Sequence, residues 1–177
     1  MFYFEIKSVN KSMQEIERLF EIFHQNCYLH NNSIGVSFPY QNNGQLCAIR
    51  FFSKTKESLN KLINCDDIQD LLDTDAFLLK TIKEVPKDAI PFRVLRSRID
   101  SSFKYAKEIK NKHLKTNNIF KNGSLKELYY IKIYSKTNVN YFSLFYYYDA
   151  AENTSEIDNN IFSSYGFSKG GSYVYSF

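Results

Sequence analysis

Tryptophan is absent from this 177-residue chain, and cysteine (3), proline (3) and glycine (6) are scarce. So little proline and glycine excludes a linker-rich or disordered chain. Cys27, Cys47 and Cys65 are odd in number and far apart, with no Cys-x-x-Cys pair. That spacing excludes a disulfide framework and a zinc knuckle, and reduced thiols imply a cytoplasmic setting. No apolar run approaches the ~18 residues that a membrane-spanning helix needs, and mean hydropathy is −0.41; no membrane partner is expected. The opening stretch from Met1 to Val9 alternates polar and apolar residues. It has neither the basic nor the apolar region of a signal peptide.

What the chain does have is aromatic residues and an uneven charge. Hydrophobic residues make up 44%, and 14 Tyr with 16 Phe bring aromatics to 17%. At this length about 70% of the unfolded surface can be buried, so no metal or disulfide staple is needed. The formal net charge is only +4, yet Lys80 to Lys126 holds 13 Lys/Arg against 4 Asp/Glu. The remainder is then net acidic. A basic block beside an acidic remainder points to a polyanion site on one half of the chain; the plainer reading is a solvated lysine-rich helix.

Phe2 to Val9 reads as a strand. Ser12 and Glu15 form a capping box that opens a helix with an apolar stripe of Ile16, Leu19, Phe20, Phe23 and Cys27; Asn31, Asn32 and Ser33 end it. Ser33 to Tyr40 and Leu46 to Ser53 read as strands around the turn Asn42-Asn43-Gly44. Ser58 to Ile63 and Asp67 to Leu72 read as short helices, and Thr81 to Val85 as a fourth strand. The order β-α-β-β-α-β is the ferredoxin-like arrangement, a common RNA-binding scaffold. The expected class is α+β, with such a domain over residues 1–90 and a second half over 91–177 that carries the basic stretch.

Pro86 and Pro91 mark the change of character. Arg93, Arg96 and Arg98 follow as candidate RNA-binding residues, and the spacing predicts a helix near Ser102 to Lys115. Lys104, Lys107, Asn111, Lys112 and Lys115 share one broad face of it, with Tyr105, Ala106 and Ile109 on the other side. Asn117 to Ser124 reads as a loop around Asn122-Gly123. Tyr129 to Ser135 and Tyr141 to Tyr148 read as partnered strands about a turn at Thr137 to Asn140. Ala151 to Asn160 reads as a polar loop. Ile161 to Tyr165 reads as a strand before a glycine turn at Lys169-Gly170-Gly171.

Of the three histidines, His24 falls at the edge of the first helix's apolar stripe, about 70° from its centre. Such a position is half-buried and can face a cleft, although a boundary histidine is more often structural. His30 reads as a solvated loop residue. His113, near the end of the basic helix, is placed favourably for the dipole. No His-x-x-His or carboxylate cluster suggests a metal site or any cofactor, and Asp66, Asp67 and Asp70 read as a helix start.

Three segments together resemble a known family. They are Leu19-Phe20 with Phe23-His24-Gln25, then Ile34-Gly35-Val36-Ser37-Phe38-Pro39, and Tyr165-Gly166-Phe167-Ser168-Lys169-Gly170-Gly171 running to Phe177. Their order and spacing are similar to those of the CRISPR-associated endoribonuclease of type I-F systems, which cuts the repeat hairpin of the precursor guide RNA. The resemblance spans both ends of the chain; the middle third matches only in character. It implies that His24 is the catalytic histidine and Tyr165 the active-site tyrosine. In that family a serine ends a strand seven residues before an aromatic that stacks on RNA, which selects Ser135 and Phe142. Ser97-Arg98-Ile99-Asp100 resembles a Ser-Arg-x-Gln segment that reads base edges in the hairpin's major groove.

Asp100 departs from that pattern: ionised, it accepts from a base but cannot donate. The family's next helix is arginine-rich, where this chain has lysines and ends Asn111-Lys112-His113. Lysine keeps the phosphate charge and loses the bidentate fork. Glu108 also falls within the basic face. Gly166, Gly170 and Gly171 have no nucleotide-hydrolysis context; glycine there lets backbone approach the RNA or the core closely. Lys169 beside them is either a phosphate contact or simply solvated.

The chemistry these residues support agrees with the resemblance. RNA supplies its own nucleophile, the 2′-hydroxyl, so no metal is required. An imidazole, ordinarily titrating near pH 6.5, suits proton removal at neutral pH. A serine hydroxyl orients the ribose, and a tyrosine hydroxyl fixes the imidazole or contacts the phosphate. The expected partners are the CRISPR repeat hairpin and other subunits of the type I-F surveillance complex. Two alternatives stay open: a non-catalytic subunit that binds the same hairpin, and a protein–protein adaptor whose lysines meet an acidic partner. If Lys104, Lys107 and Lys112 contact phosphates, changing all three to Ala should flatten the log–log salt dependence of hairpin binding by about two to three units. An unchanged slope would turn that face away from the RNA.

Overall fold

The computed structural model describes residues 1–26, 31–39, 46–97, 118–121, 124–135, 139–151 and 161–177. The predicted helix at Ser102 to Lys115 and the Ala151–Asn160 loop from 152 on lie outside these residues. So do Cys27, His30, Arg98 and Asp100.

The first sheet is built from β1 (Phe2–Ser8), β2 (Gly35–Ser37), β3 (Ala48–Ser53) and β4 (Phe77–Leu79), in the order β2-β3-β1-β4. Every pairing is antiparallel, with Phe4 opposite Phe51 and Ile6 opposite both Ile49 and Leu79. With α1 (Met13–Gln25), α2 (Lys56–Ile63) and α3 (Asp66–Leu72) as crossovers, this is the expected ferredoxin-like order. The fourth strand is earlier than the sequence suggests. Phe77–Leu79 takes the place expected for Thr81 to Val85, and only Lys83–Glu84 (β5) pairs, with Phe2 and Tyr3. Phe77 is the buried residue of that run, while Lys83 and Glu84 are exposed, so burial rather than β propensity chooses the strand.

The cap of α1 also differs from the expected box. Ser12 Oγ accepts from the Glu15 amide at 3.4 Å. The Glu15 carboxylate, however, does not return to the Ser12 amide. It accepts from the Ser8 hydroxyl, and Ser8 Oγ accepts from Ser12 N–H at 2.8 Å. Strand β1 thus supplies the second half of the cap. The stripe Ile16, Leu19, Phe20 and Phe23 is fully buried, and the helix stops at Gln25 with Asn26 as its cap, donating to Asp67 of α3 at 2.8 Å.

The second sheet contains β6 (Ile90–Ser97), β9 (Tyr129–Ser135), β10 (Asn140–Ala150) and β11 (Val174–Ser176), in the order β11-β6-β10-β9. The β9–β10 pair fulfils expectation, with Ser135 opposite Asn140. Four strands are new, β11 among them. Ile90–Ser97, whose arginines read only as a basic stretch, is a central strand pairing Arg96 with Tyr146 and Phe92 with Val174. The stretch expected to be a loop at Asn117 to Ser124 instead carries β7 (Asn118–Lys121), which pairs with β8 (Ser124–Glu127) as a hairpin. Ile161 to Tyr165 is not a strand: Phe162 makes one bridge to Ser168, and Ser163 to Gly166 is a turn closed by Gly166 N–H to Ser163 O at 2.8 Å.

One apolar core runs through both sheets, from Phe4 and Phe51 through Phe20, Phe23 and Phe38 to Ile131, Leu144, Tyr146, Phe162 and Val174. Ring pairs hold it, among them Phe4–Phe51 at 5.0 Å and Phe38–Tyr146 at 4.9 Å between centroids. Burial pushes the Tyr148 hydroxyl well above the ordinary tyrosine range. Gly35 is required by the close approach of Phe162, whose ring would lie 2.5 Å from an added Cβ. Among the described residues, no helix is long and apolar enough to cross a membrane.

A buried ion pair ties the first sheet to the last residue. Glu5, 1% exposed at its side chain, accepts from Arg50 Nε at 2.8 Å and from Lys80. Arg50 also donates to the Phe177 carbonyl at 3.0 Å, with its guanidinium 4.2 Å from the Phe177 ring centroid. Removing one partner leaves the buried carboxylate undercompensated. Arg50→Met should therefore lower stability by about 3–5 kcal/mol, read as a loss of roughly 10 °C in the melt. The double change Glu5→Leu with Arg50→Met should recover much of it. A loss below about 1 kcal/mol in the single variant would reduce the pair to the worth of an exposed one.

Candidate functional site

The site begins with α1. Phe23 must face the core, and that fixes the rotation of the helix, so His24 emerges half-buried at the border. Its Nδ1 lies 3.0 Å from the carbonyl oxygen of Ser164. A carbonyl only accepts, so Nδ1 carries the proton and the neutral ring presents an unprotonated Nε2. This tautomer is the one that can take a proton from a bound hydroxyl.

Tyr165 lies against the same imidazole. The two rings stack at 4.1 Å between centroids with 19° between planes. They are far apart in sequence and meet because the segment from Phe162 to Ser172 is pinned on several sides. Phe162 N–H donates to Asn32 O at 2.8 Å, Val36 N–H to Gly166 O at 2.9 Å and Ser168 N–H to Val94 O at 2.8 Å. Ser163 Oγ accepts from Phe167 N–H, Ser168 Oγ from Val94 N–H, and Ser172 Oγ from Lys169 N–H. Phe162 and Phe167 are buried on either side of the turn. Gly166 has φ +69°, and a Cβ there would lie 2.8 Å from Val36 Cγ1. The turn that presents Tyr165 thus demands glycine next to it.

Arg96 completes the cluster. Its guanidinium carbon lies 5.3 Å from the Tyr165 ring centroid. It is exposed, and it has no acidic partner among the described residues. In an antiparallel ladder, directly opposite residues share a face. Arg96 opposite Tyr146, Phe142 opposite Ile133 and Asn140 opposite Ser135 therefore place Arg96, Phe142 and Ser135 on one face of the second sheet. It is the face that carries the buried Val94, Leu144 and Ile131. Helix α1 meets strand β9, where Glu17 accepts from the Lys132 amide at 2.9 Å. Phe142 is partly buried and packed against the core. Arg93 is on the opposite face, donating to Asp149 at 3.3 Å. Lys169 is exposed in the glycine turn. Of the other residues selected from the sequence, Arg98, Asp100, Lys104, Lys107, Lys112 and His113 lie outside the described residues.

Sequence reasoning missed Ser164, which acts through its backbone carbonyl and so carries no side-chain signature. It also missed the strand that aims Arg96 at Tyr165; the alternation Phe92, Val94, Arg96 was the available signal, obscured by three closely spaced arginines.

Gly166→Ala tests whether the turn holds the pair together. It should cost about 1–3 kcal/mol, from a left-handed backbone conformation made to carry a Cβ. It should also shift the His24 ring-proton NMR resonances downfield as Tyr165 leaves the imidazole face. Unmoved resonances in a folded variant would show that the stack survives without glycine.

A protein-family model described as CRISPR-associated protein (Cas_Csy4) matches residues 3–177 of the chain. No curated protein matches it.

Proposed function

The chain belongs to the Cas_Csy4 family of CRISPR-associated proteins, and from that premise we propose that it is a metal-independent endoribonuclease cleaving CRISPR repeat precursor RNA at the base of a stem-loop. The observation that carries this reading is the stack of His24 on Tyr165, two residues that local sequence gives no reason to bring together. In the proposed reaction His24 Nε2 removes the 2′-proton of the nucleotide before the cut, and the 2′-oxygen attacks the adjacent phosphorus. Proton transfer by a positioned base contributes about 10²–10⁴ in rate. The Ser164 carbonyl holds the tautomer and Tyr165 the ring plane. Ser135 orients the ribose by hydrogen bonding. The products are a 2′,3′-cyclic phosphate and a 5′-hydroxyl.

Binding is assigned to a different set of groups. Lys104, Lys107, Lys112 and His113 meet stem phosphates, Lys169 adds charge, and Arg98 with Asp100 reads base edges in the groove; Arg93, paired with Asp149, is not part of this set. Phe142 stacks on an unpaired base at the stem's foot. The enzyme then stays on the 3′ hairpin of the guide as a subunit of the type I-F surveillance complex. In this proposal residues 1–90 carry the base and residues 91–177 hold the hairpin.

The division of labour is what an experiment reads. Single-turnover cleavage of a repeat transcript in EDTA, at saturating protein, should fall by about 10²–10⁴ in His24→Ala while hairpin affinity is nearly kept. A substrate with 2′-deoxyribose before the cut should bind and remain uncut by the unaltered protein. Cleavage at the normal rate by folded His24→Ala would remove the histidine from the reaction. Tight hairpin binding with no cleavage by the unaltered protein would make this a non-catalytic hairpin-binding subunit.

A further inference from the structure

The charge that builds up on the phosphate during this reaction needs a cation, and His24, Ser135 and Tyr165 do not provide one in the ground state. When the 2′-oxygen–phosphorus bond forms, the two non-bridging oxygens gain negative charge. It persists until the phosphorus–5′-oxygen bond breaks and the leaving 5′-oxygen takes a proton from the imidazolium or from water. The 2′-proton has by then gone to His24, so protons and electrons balance without a further reactant. Fixed donors aimed at such developing charge are typically a large term in catalysis.

Resting on the endoribonuclease reading, we infer that Arg96 is a further catalytic residue, whose guanidinium donates to the non-bridging oxygens of the scissile phosphate. Three observations carry this. First, Arg96 and His24 both lie against Tyr165, at 5.3 Å and 4.1 Å from its ring centroid. Imidazole and guanidinium are thus held against the same ring, and in this inference the scissile phosphate sits at its edge. Second, Arg96 is an exposed cation without an acidic partner among the described residues, whereas Arg50 is committed to Glu5 and Arg93 to Asp149. Third, its backbone is fixed in the centre of the second sheet opposite Tyr146, and Tyr165 supports its side chain by a cation–π contact. A guanidinium held in this way has lost much of its rotamer freedom before RNA arrives, and its planar fork matches two phosphate oxygens. The lysines of the basic segment bind the stem; Arg96 is set apart from them by its contact with the ring that stacks on the base.

The test combines rate with the affinity for a terminal phosphate. Arg96→Gln and Arg96→Lys are compared with the unaltered protein in single-turnover cleavage at saturating protein, beside a melt. Each protein is also titrated with two product hairpins, one ending in a 3′-phosphate and one in a 3′-hydroxyl. Arg96→Gln should lose about 10²-fold in single-turnover rate with an unchanged melting temperature. The unaltered protein should prefer the 3′-phosphate hairpin by about ten-fold or more. Arg96→Gln should bind the two hairpins equally, and Arg96→Lys should restore part of both the rate and the preference. A normal cleavage rate in folded Arg96→Gln, or an equal loss of affinity for both hairpins with the rate intact, would overturn the inference. If the unaltered protein cleaves nothing, the endoribonuclease reading fails. The terminal-phosphate preference, lost or kept in Arg96→Gln, then decides by itself whether Arg96 holds that phosphate.

Discussion

Phe167 is the ring on which the two sheets close. It stacks on Phe20 of α1 at 5.9 Å, meets Phe38 after β2 edge-on and lies 5.3 Å from Tyr146 of β10. Its backbone is fixed as well, since its amide and carbonyl both bond to Ser163. The turn carrying Tyr165 is anchored two residues away. The geometry of the site therefore depends on an apolar contact: without Phe167 filling the space between helix and second sheet, only the hydrogen bonds to Asn32, Val36 and Val94 would hold Tyr165 over His24. An aromatic side chain suits this position because one rigid ring reaches several elements at little cost in rotamer freedom.

The polar part of the site follows from the same packing. Ser164 presents its carbonyl to His24 because its neighbours are pinned to Asn32, Val36 and Val94. The carbonyl sets the tautomer, and the tautomer leaves Nε2 free to take a proton. Arg96 arrives from the other direction, at the end of a strand whose preceding same-face residue, Val94, is wholly buried. The last inward position of β6 thus points a cation at the border of the core, where the ring of Tyr165 receives it. Imidazole and guanidinium reach one tyrosine ring although α1, the turn and β6 are distant in sequence.

Charge inside the fold is used sparingly and elsewhere. The buried Glu5 carboxylate is compensated by Arg50 and Lys80 on the first sheet. Arg50 extends that compensation to the carbonyl of Phe177, just beyond β11. This strand leads back through the glycine turn to Tyr165. The first sheet therefore holds the stretch from Gly166 to Phe177 at two points, Gly166 through Val36 and Phe177 through Arg50.

The sequence by itself determined the local elements whose burial pattern is regular. The stripe Ile16, Leu19, Phe20, Phe23 specified α1 and put His24 at its border, and the alternation from Tyr129 to Ser135 specified β9 with its inward face. It also determined the ferredoxin-like order, because strand and helix signals alternate clearly up to Leu72. Resemblance to a family, rather than periodicity, singled out His24, Ser135 and Tyr165. Tertiary structure alone decided the rest. Phe77–Leu79 became the fourth strand because Phe77 reaches the core, and Ile90–Ser97 became a central strand because β10 and β11 pair on its two sides despite its arginines. The contact of His24 with Ser164 and Tyr165, and of Tyr165 with Arg96, has no local signal. A hydrogen bond to a backbone carbonyl and a ring stack between distant residues exist only after the chain has closed on Phe167.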